Sequence, residues 1–211
     1  MENAKQSRSS TLTILHEDEA LIVVEKPAGL LSVPGRGEDM QDCMSLRLQT
    51  VFPDALTVHR LDMATSGLLV FARGPAMQRL LSKLFRERLI EKRYLAVVSG
   101  RMKSESGEID LPISADWPNR PRQKIDLLGK PSLTRFEVLE QGNDMAHLRL
   151  EPVTGRTHQL RIHLMAIGHT IVGDALYGGK PSWRLMLHAH ELCFDHPVTG
   201  EKMHLISKPP F

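Results

Sequence analysis

The sequence predicts an α+β fold, antiparallel strands with a few interspersed helices, on three observations. From Lys92 onward the chain reads as extended in "KRYLAVVSG", "GEIDLPI", "SLTRFEVLEQ" and "AHLRLEPV", each bounded by turn residues. Only "GPAMQRLLSKLFRERL" and "TGRTHQLRIHLMAIGH" carry sustained helical spacing. Helices therefore do not alternate with strands, as a doubly wound parallel sheet requires.

In chain order, "LTILHEDEALIVVEKP" reads as two short strands around an acidic turn, with Ile22, Val23 and Val24 as a buried run. "PAGLLSVPGRGED" is a loop punctuated by glycine and proline. A short helix is predicted over 42–51 and a strand over 67–72, while 58–62 is expected to be extended. In the helix that opens at Gly74, Pro75 suits the first turn, and Met77, Leu80, Leu81, Leu84 and Phe85 form the apolar stripe. That stripe leaves Arg79, Lys83 and Arg86 facing solvent or a ligand. In the second helix Thr157 is the expected N-cap, Gly168 the stop, and Leu160, Leu164 and Ile167 the buried face. The end of the chain reads as a hairpin turning at "PVTGE".

With 211 residues, 41% apolar and 25% charged, the chain has the composition of an ordinary soluble globular protein. No apolar run is long enough for a membrane span, and the polar N-terminus lacks a secretory signal. Cys43 and Cys193 belong to no CxxC and are expected to be unpaired thiols, which suits a reducing cytoplasm. Net charge is +2, but acids gather in 16–45 and basic residues in 73–93 and 118–135. Such segregation suits a polyanion held on one side, and equally describes solvated faces.

The segment "VHRLDMATSGLLVFAR", residues 58–73, sets Asp62 two positions after Arg60, just ahead of a buried run. In an extended backbone these two side chains share one face. A carboxylate there also serves as a turn cap, a surface charge or a structural ion pair. Thr65-Ser66-Gly67 alone signals only a tight turn. The chain lacks GxSxG, GxxxxGK[ST] and HExxH, and its "GRG" does not open a helix. The histidine pairs His158/His163 and His188/His190 lack companion ligands at familiar spacing, so no metal is expected. One conspicuous acid without a partner is too few for the usual glycosidase.

"HRLDMATSGLLVFA" resembles the signature of the RluA family of pseudouridine synthases. "EKPAGLLSVPG", "EKRYLAVVSG", "GKPSLTRFEV", "EPVTGRTHQLRIHLMAIGHTIVGDALYG" and "LMLHAHELCFDHPVTGE" resemble further family blocks in the same order. The likeness runs from about Leu12 to the C-terminus. It implies the family's catalytic fold over 12–211 as one domain, a mixed sheet with flanking helices and a central active-site cleft, behind a polar tail over 1–11. "DWPNRPRQK" at 116–124 and the absence of an S4-type RNA-binding domain bring the chain closest to the subgroup that acts on both 23S rRNA and tRNA anticodon stem-loops.

The resemblance implies isomerisation of uridine to pseudouridine in RNA stem-loops, with no cofactor, by a cytoplasmic monomer. By the same resemblance Asp62 is the catalytic carboxylate, as nucleophile or as base. Arg161 is its basic partner, and Tyr94 the active-site tyrosine. A charged carboxylate beneath a base needs such a cation. Arg60 and His59 are expected to contact the RNA, Arg60 by occupying the space left by the expelled uridine or by holding a flanking phosphate. Arg79, Lys83, Arg86, Arg120, Arg122 and Lys124 are expected to meet RNA phosphates, an assignment from charge alone. Two rival functions are a catalytically idle RNA-binding or chaperone protein on the same fold, and a nucleosidase. The first has no use for the trio Asp62, Tyr94 and Arg161. The second needs an activated water, and no second carboxylate is evident.

Overall fold

A computed structural model describes residues 12–211. The tail predicted over 1–11 lies outside the described residues. The chain runs β1 (Ile14–Glu17), β2 (Leu21–Lys26), α1 (Met44–Gln49), β3 (Ala55–Thr57), β4 (Ser66–Arg73), α2 (Gly74–Glu87), β5 (Glu91–Ser99), β6 (Ser106–Asp110) and β7 (Ile113–Ala115). It continues with β8 (Gln123–Ile125), β9 (Leu133–Gln141), β10 (Met145–Pro152), α3 (Gln159–Ala166), β11 (Leu187–Asp195) and β12 (Lys202–Ile206). Among the described residues no helix is long and apolar enough to cross a membrane.

Ten strands make one sheet in the order β1-β2-β4-β11-β5-β10-β9-β6, with β3 added on β4 and β12 on β11; β7 and β8 form a separate hairpin. Every pairing is antiparallel except β4 with β11, which touch only at Ser66↔His188 and Ala189↔Gly67. Gly67 makes that contact possible. Its φ is 111°, and a Cβ there would lie 2.2 Å from the Ala189 carbonyl oxygen, a position closed to any side chain. Beyond this point β4 and β11 part, and β12 pairs with the outer half of β11.

The apolar clusters follow the sheet's two faces. Leu69 and Phe71 of β4 pack with Leu61, Ala189 and the α1 residues Met44 and Leu48, while Leu68, Val70 and Ala72 pack with Leu81 of α2. A further cluster joins β5, β10 and β11 to Leu160 and Leu164 of α3, and Tyr94 packs against both this cluster and the α1 side.

Four expectations change. Residues 58–62 form a loop, not a strand. Leu80 leaves the apolar stripe of α2 and is 43% exposed. The cap of α3 is His158, not Thr157, and the helix is buried nearly all round, Gln159, Arg161 and His163 included. Ile167, expected inside, is exposed. The polar residues of α3 are accommodated by fixed partners. Gln159, for instance, bonds Thr154, Thr134, the Arg156 N–H and the Leu133 carbonyl.

Two histidines serve the fold in their neutral form. The His59 ring accepts from the Val70 N–H at 3.0 Å and stacks on Phe85; burial, with Lys92 nearby, pushes it down to about 3. His188 bonds Ser66 through Nδ1 and Ser207 through Nε2, and burial pushes it down to about 4. Once unfolded, each binds a proton near pH ~6.5, so their stabilisation is complete above that pH and is lost as pH falls toward the folded values. At about pH 5 each is expected to cost roughly 2 kcal/mol. Urea denaturation at neutral and acid pH should register the drop, and His59→Gln should reduce it.

Candidate active site

Asp62 sits in the loop between β3 and β4, and the loop is held from two sides by the segment "KPAGLLS". Ser32 Oγ accepts from the Leu61 N–H at 3.0 Å and donates to the Leu61 carbonyl at 2.8 Å. The buried Lys26 ammonium donates to the carbonyls of Pro27, Leu30 and Met63 at 2.8, 2.7 and 3.1 Å. Asp62 closes its own turn by accepting from the Thr65 N–H. Residues on both sides of the carboxylate are thereby fixed before any ligand arrives.

Burial pushes Lys26 down to about 7, Arg184 adding to the push and Asp62 opposing it. Three carbonyl acceptors use all three protons of an ammonium, which a neutral amine cannot match. Lys26→Met strands those carbonyls and is expected to destabilise the fold by about 3 kcal/mol or more. A denaturation curve measures it directly.

From the opposite side α3 presents Arg161, whose Nη1 lies 3.5 Å from Asp62 Oδ2. Its stronger partner is Asp174, bound through Nε at 2.8 Å and Nη2 at 2.7 Å. The Asp174 side chain is fully buried; its Oδ1 also accepts from the N–H groups of Leu176 and Tyr177. Asp174 and its neighbours raise the Arg161 guanidinium further above its usual range, against the cost of burial. Arg161 is thus a cation anchored at its rear by one carboxylate and offered at its front to another. The Asp62 side chain keeps 26% exposure, so a ligand has access to it. Tyr94 completes the group from β5. Burial, with Asp62 adding, pushes its phenol well above the ordinary value, so at neutral pH it is a protonated ring for stacking or donating.

The other predicted residues divide. Arg60 is exposed beside Asp62 and has no side-chain hydrogen bond or ion pair among the described residues. Arg122 holds its guanidinium over the Tyr177 ring at 5.5 Å, and Arg120 stacks over exposed Trp117 at 3.4 Å, both in the β7–β8 hairpin. Lys124 in that hairpin is paired with Asp126 at 3.1 Å. Arg79, Lys83 and Arg86 are exposed on α2, which packs against the other face of β4 from Leu61, so the fold does not gather them with Asp62. His59 is spent on the Val70 N–H and Phe85, so its ring is not offered to a ligand.

Spacing and charge do not mark Asp174, Tyr177, Lys26 or Ser32, and they raise His158 only as half of a candidate metal pair with His163. Each lies in one of the quoted blocks, but its part in the site depends on contacts between distant segments. The histidine pairs weighed for metal binding have other partners. His163 bonds Thr134 and the Leu111 carbonyl, while His188 and His190 both reach Ser207. A recess of about 490 Å³ lined by His16, Asp18, Met77 and His196 contains none of the predicted site residues.

The chain as a whole is similar to known proteins. The family model described as RNA pseudouridylate synthase matches residues 20–166. The chain is 46% identical over 209 residues to the dual-specificity RNA pseudouridine synthase RluA of Escherichia coli (strain K12), covering 96% of this chain and 95% of that protein. It is 47% identical to the protein of the same description from Haemophilus influenzae, over 95% of this chain and 94% of the other. Among solved structures, human RNA pseudouridylate synthase domain containing 1 superposes with a TM-score of 0.79 at 31% identity, covering 95% of this chain and 84% of that one. A carboxylate clamped in its loop, faced by an anchored arginine and a half-buried tyrosine, thus lies in a chain that belongs to the RNA pseudouridylate synthase family.

Proposed function

We propose that this protein isomerises uridine to pseudouridine in structured stem-loops of 23S rRNA and tRNA, with Asp62 as the reacting carboxylate, Arg161 as its cation and Tyr94 against the uracil. The observation that carries this reading is the meeting of Asp62 and Arg161, 99 residues apart in sequence and 3.5 Å apart in space. The reaction breaks the bond from the ribose carbon to N1 and remakes it to C5. N1 gains a proton and C5 loses one, so no electrons are exchanged and no energy source is required. Asp62 acts at the sugar as nucleophile or base while Arg161 keeps negative charge on it tolerable. The Tyr94 ring stacks on the turned uracil, and its protonated hydroxyl serves as a hydrogen-bond donor, the C5 proton passing to solvent.

The uridine must leave its stack before Asp62 can act, at a cost of a few kcal/mol. That cost is smallest in a loop, which favours stem-loop substrates over long duplexes. Arg60, exposed next to Asp62, is placed to fill the vacated position. Arg120 and Arg122 provide cations for phosphates at the hairpin. A cytoplasmic monomer suits this work, and the two cysteines are free.

Purified protein incubated with total RNA, followed by site-resolved pseudouridine mapping, tests the reading. New pseudouridine in rRNA or tRNA loops is expected; tight RNA binding without conversion would favour the chaperone reading, and release of free uracil a nucleosidase. Affinity should fall steeply with salt, and salt-insensitive binding would contradict the phosphate contacts.

A further inference from the structure

His158 precedes α3 with φ 54°, one of two non-glycine residues with positive φ among those described. That conformation is disfavoured by roughly 1–2 kcal/mol, and such outliers gather where function over-determines the backbone. Its side chain is 9% exposed. Nδ1 lies 2.9 Å from the Tyr177 hydroxyl, and Nε2 lies 3.8 Å from Asp62 Oδ2, on the oxygen that Arg161 also faces.

The direction of the first bond follows from a second one. The Tyr177 oxygen already accepts from the Gln123 N–H of the β7–β8 hairpin at 2.8 Å, and among the described residues His158 Nδ1 is the one acceptor recorded for its own proton. A neutral ring that accepts at Nδ1 carries its proton on Nε2, the nitrogen turned to Asp62. Burial, with Arg161 adding, pushes the imidazole toward the neutral form, while Asp62 and Asp174 pull the other way. The Tyr177 hydroxyl, pushed up by burial, stays protonated.

We propose that His158 is a positioning residue for Asp62, locked in its Nε2–H tautomer by Tyr177 and through it by the β7–β8 hairpin. The proposal rests on Asp62 being the reacting carboxylate. With His158 and Arg161 both facing Oδ2, and no hydrogen bond to Oδ1 among the described residues, Oδ1 is the oxygen left for the ribose. The same hairpin carries the stacked Arg120–Trp117 pair and Arg122 over Tyr177. RNA that settles on the hairpin therefore bears on the group that sets the tautomer.

Nitrogen-15 NMR of the wild-type protein reads the tautomer without any turnover. An accepting Nδ1 and a protonated Nε2 are expected, and the reverse assignment would overturn the proposal. Kinetics supply the second test. His158→Gln carries an amide N–H to the Nε2 position, whereas His158→Asn reaches only the Nδ1 position. The Asn variant is expected to lose roughly tenfold to a hundredfold in kcat with KM nearly unchanged, and the Gln variant to retain most of it. Asparagine tolerates positive φ better than glutamine, so a purely structural role predicts the opposite order. Gln falling as far as Asn, or Asn matching wild type, would refute the positioning role. Wild-type protein that converts no RNA would instead refute the assignment of the reaction, and the tautomer result would still stand.

Discussion

Asp62→Asn is expected to abolish conversion of uridine, by at least about 10³-fold or roughly 4 kcal/mol, while leaving RNA affinity within about tenfold, under ~1.4 kcal/mol. Asparagine has nearly the same shape, and the loop that holds position 62 does not depend on the side chain. Ser32 fixes Leu61, Lys26 fixes Met63, and the turn to Thr65 uses the backbone carbonyl. The substitution therefore removes one negative charge and a nucleophilic or basic oxygen, with the surrounding frame left in place. Affinity is governed elsewhere, by contacts to phosphates. Conversion measured by pseudouridine mapping and affinity measured by filter binding should part company in this variant. Parallel losses in both would mean that Asp62 holds RNA and does no chemistry.

What the sequence disclosed and what it hid divide along physical lines. Helix α2 and the long strands are legible because their apolar residues repeat with a period over many positions. The three-residue strands β3 and β8 are too short to show any period. The loop at 58–62 looked extended because nothing in "VHRLD" reveals that Ser32, 29 residues before Leu61, clamps its backbone, or that Lys26 holds the next residue, Met63. The basic stripe Arg79, Lys83, Arg86 was readable as an exposed face, but helical spacing cannot say which side of a sheet the helix will cover. Arg161 could be paired with Asp62 only through the order of several motif blocks. Its stronger attachment to Asp174 was hidden in "GDALYG", where an aspartate passes for a turn residue.

That attachment makes Arg161 the position where stability and catalysis are hardest to separate, and it sets the second large effect. Arg161→Ala is expected to destabilise the protein by roughly 3–5 kcal/mol, because Asp174 remains as a buried carboxylate without its cation, and to eliminate activity as well. Loss of activity in that variant alone would therefore say little about the Asp62 contact. Arg161→Lys separates the two effects. A lysine keeps the charge, but one ammonium cannot reproduce the two-point contact with Asp174 and also reach Asp62, as the guanidinium does. It should recover part of the stability while kcat stays at least about a hundredfold down, about 2.7 kcal/mol. Combining Arg161→Met with Asp174→Asn removes both buried charges and should restore more of the fold than either change alone, with no return of turnover. Denaturation curves and single-turnover conversion on these variants and on the single changes Arg161→Met and Asp174→Asn give both quantities. An active double variant would show that Asp62 works without a cation, and the electrostatic account of the site would fail at its centre.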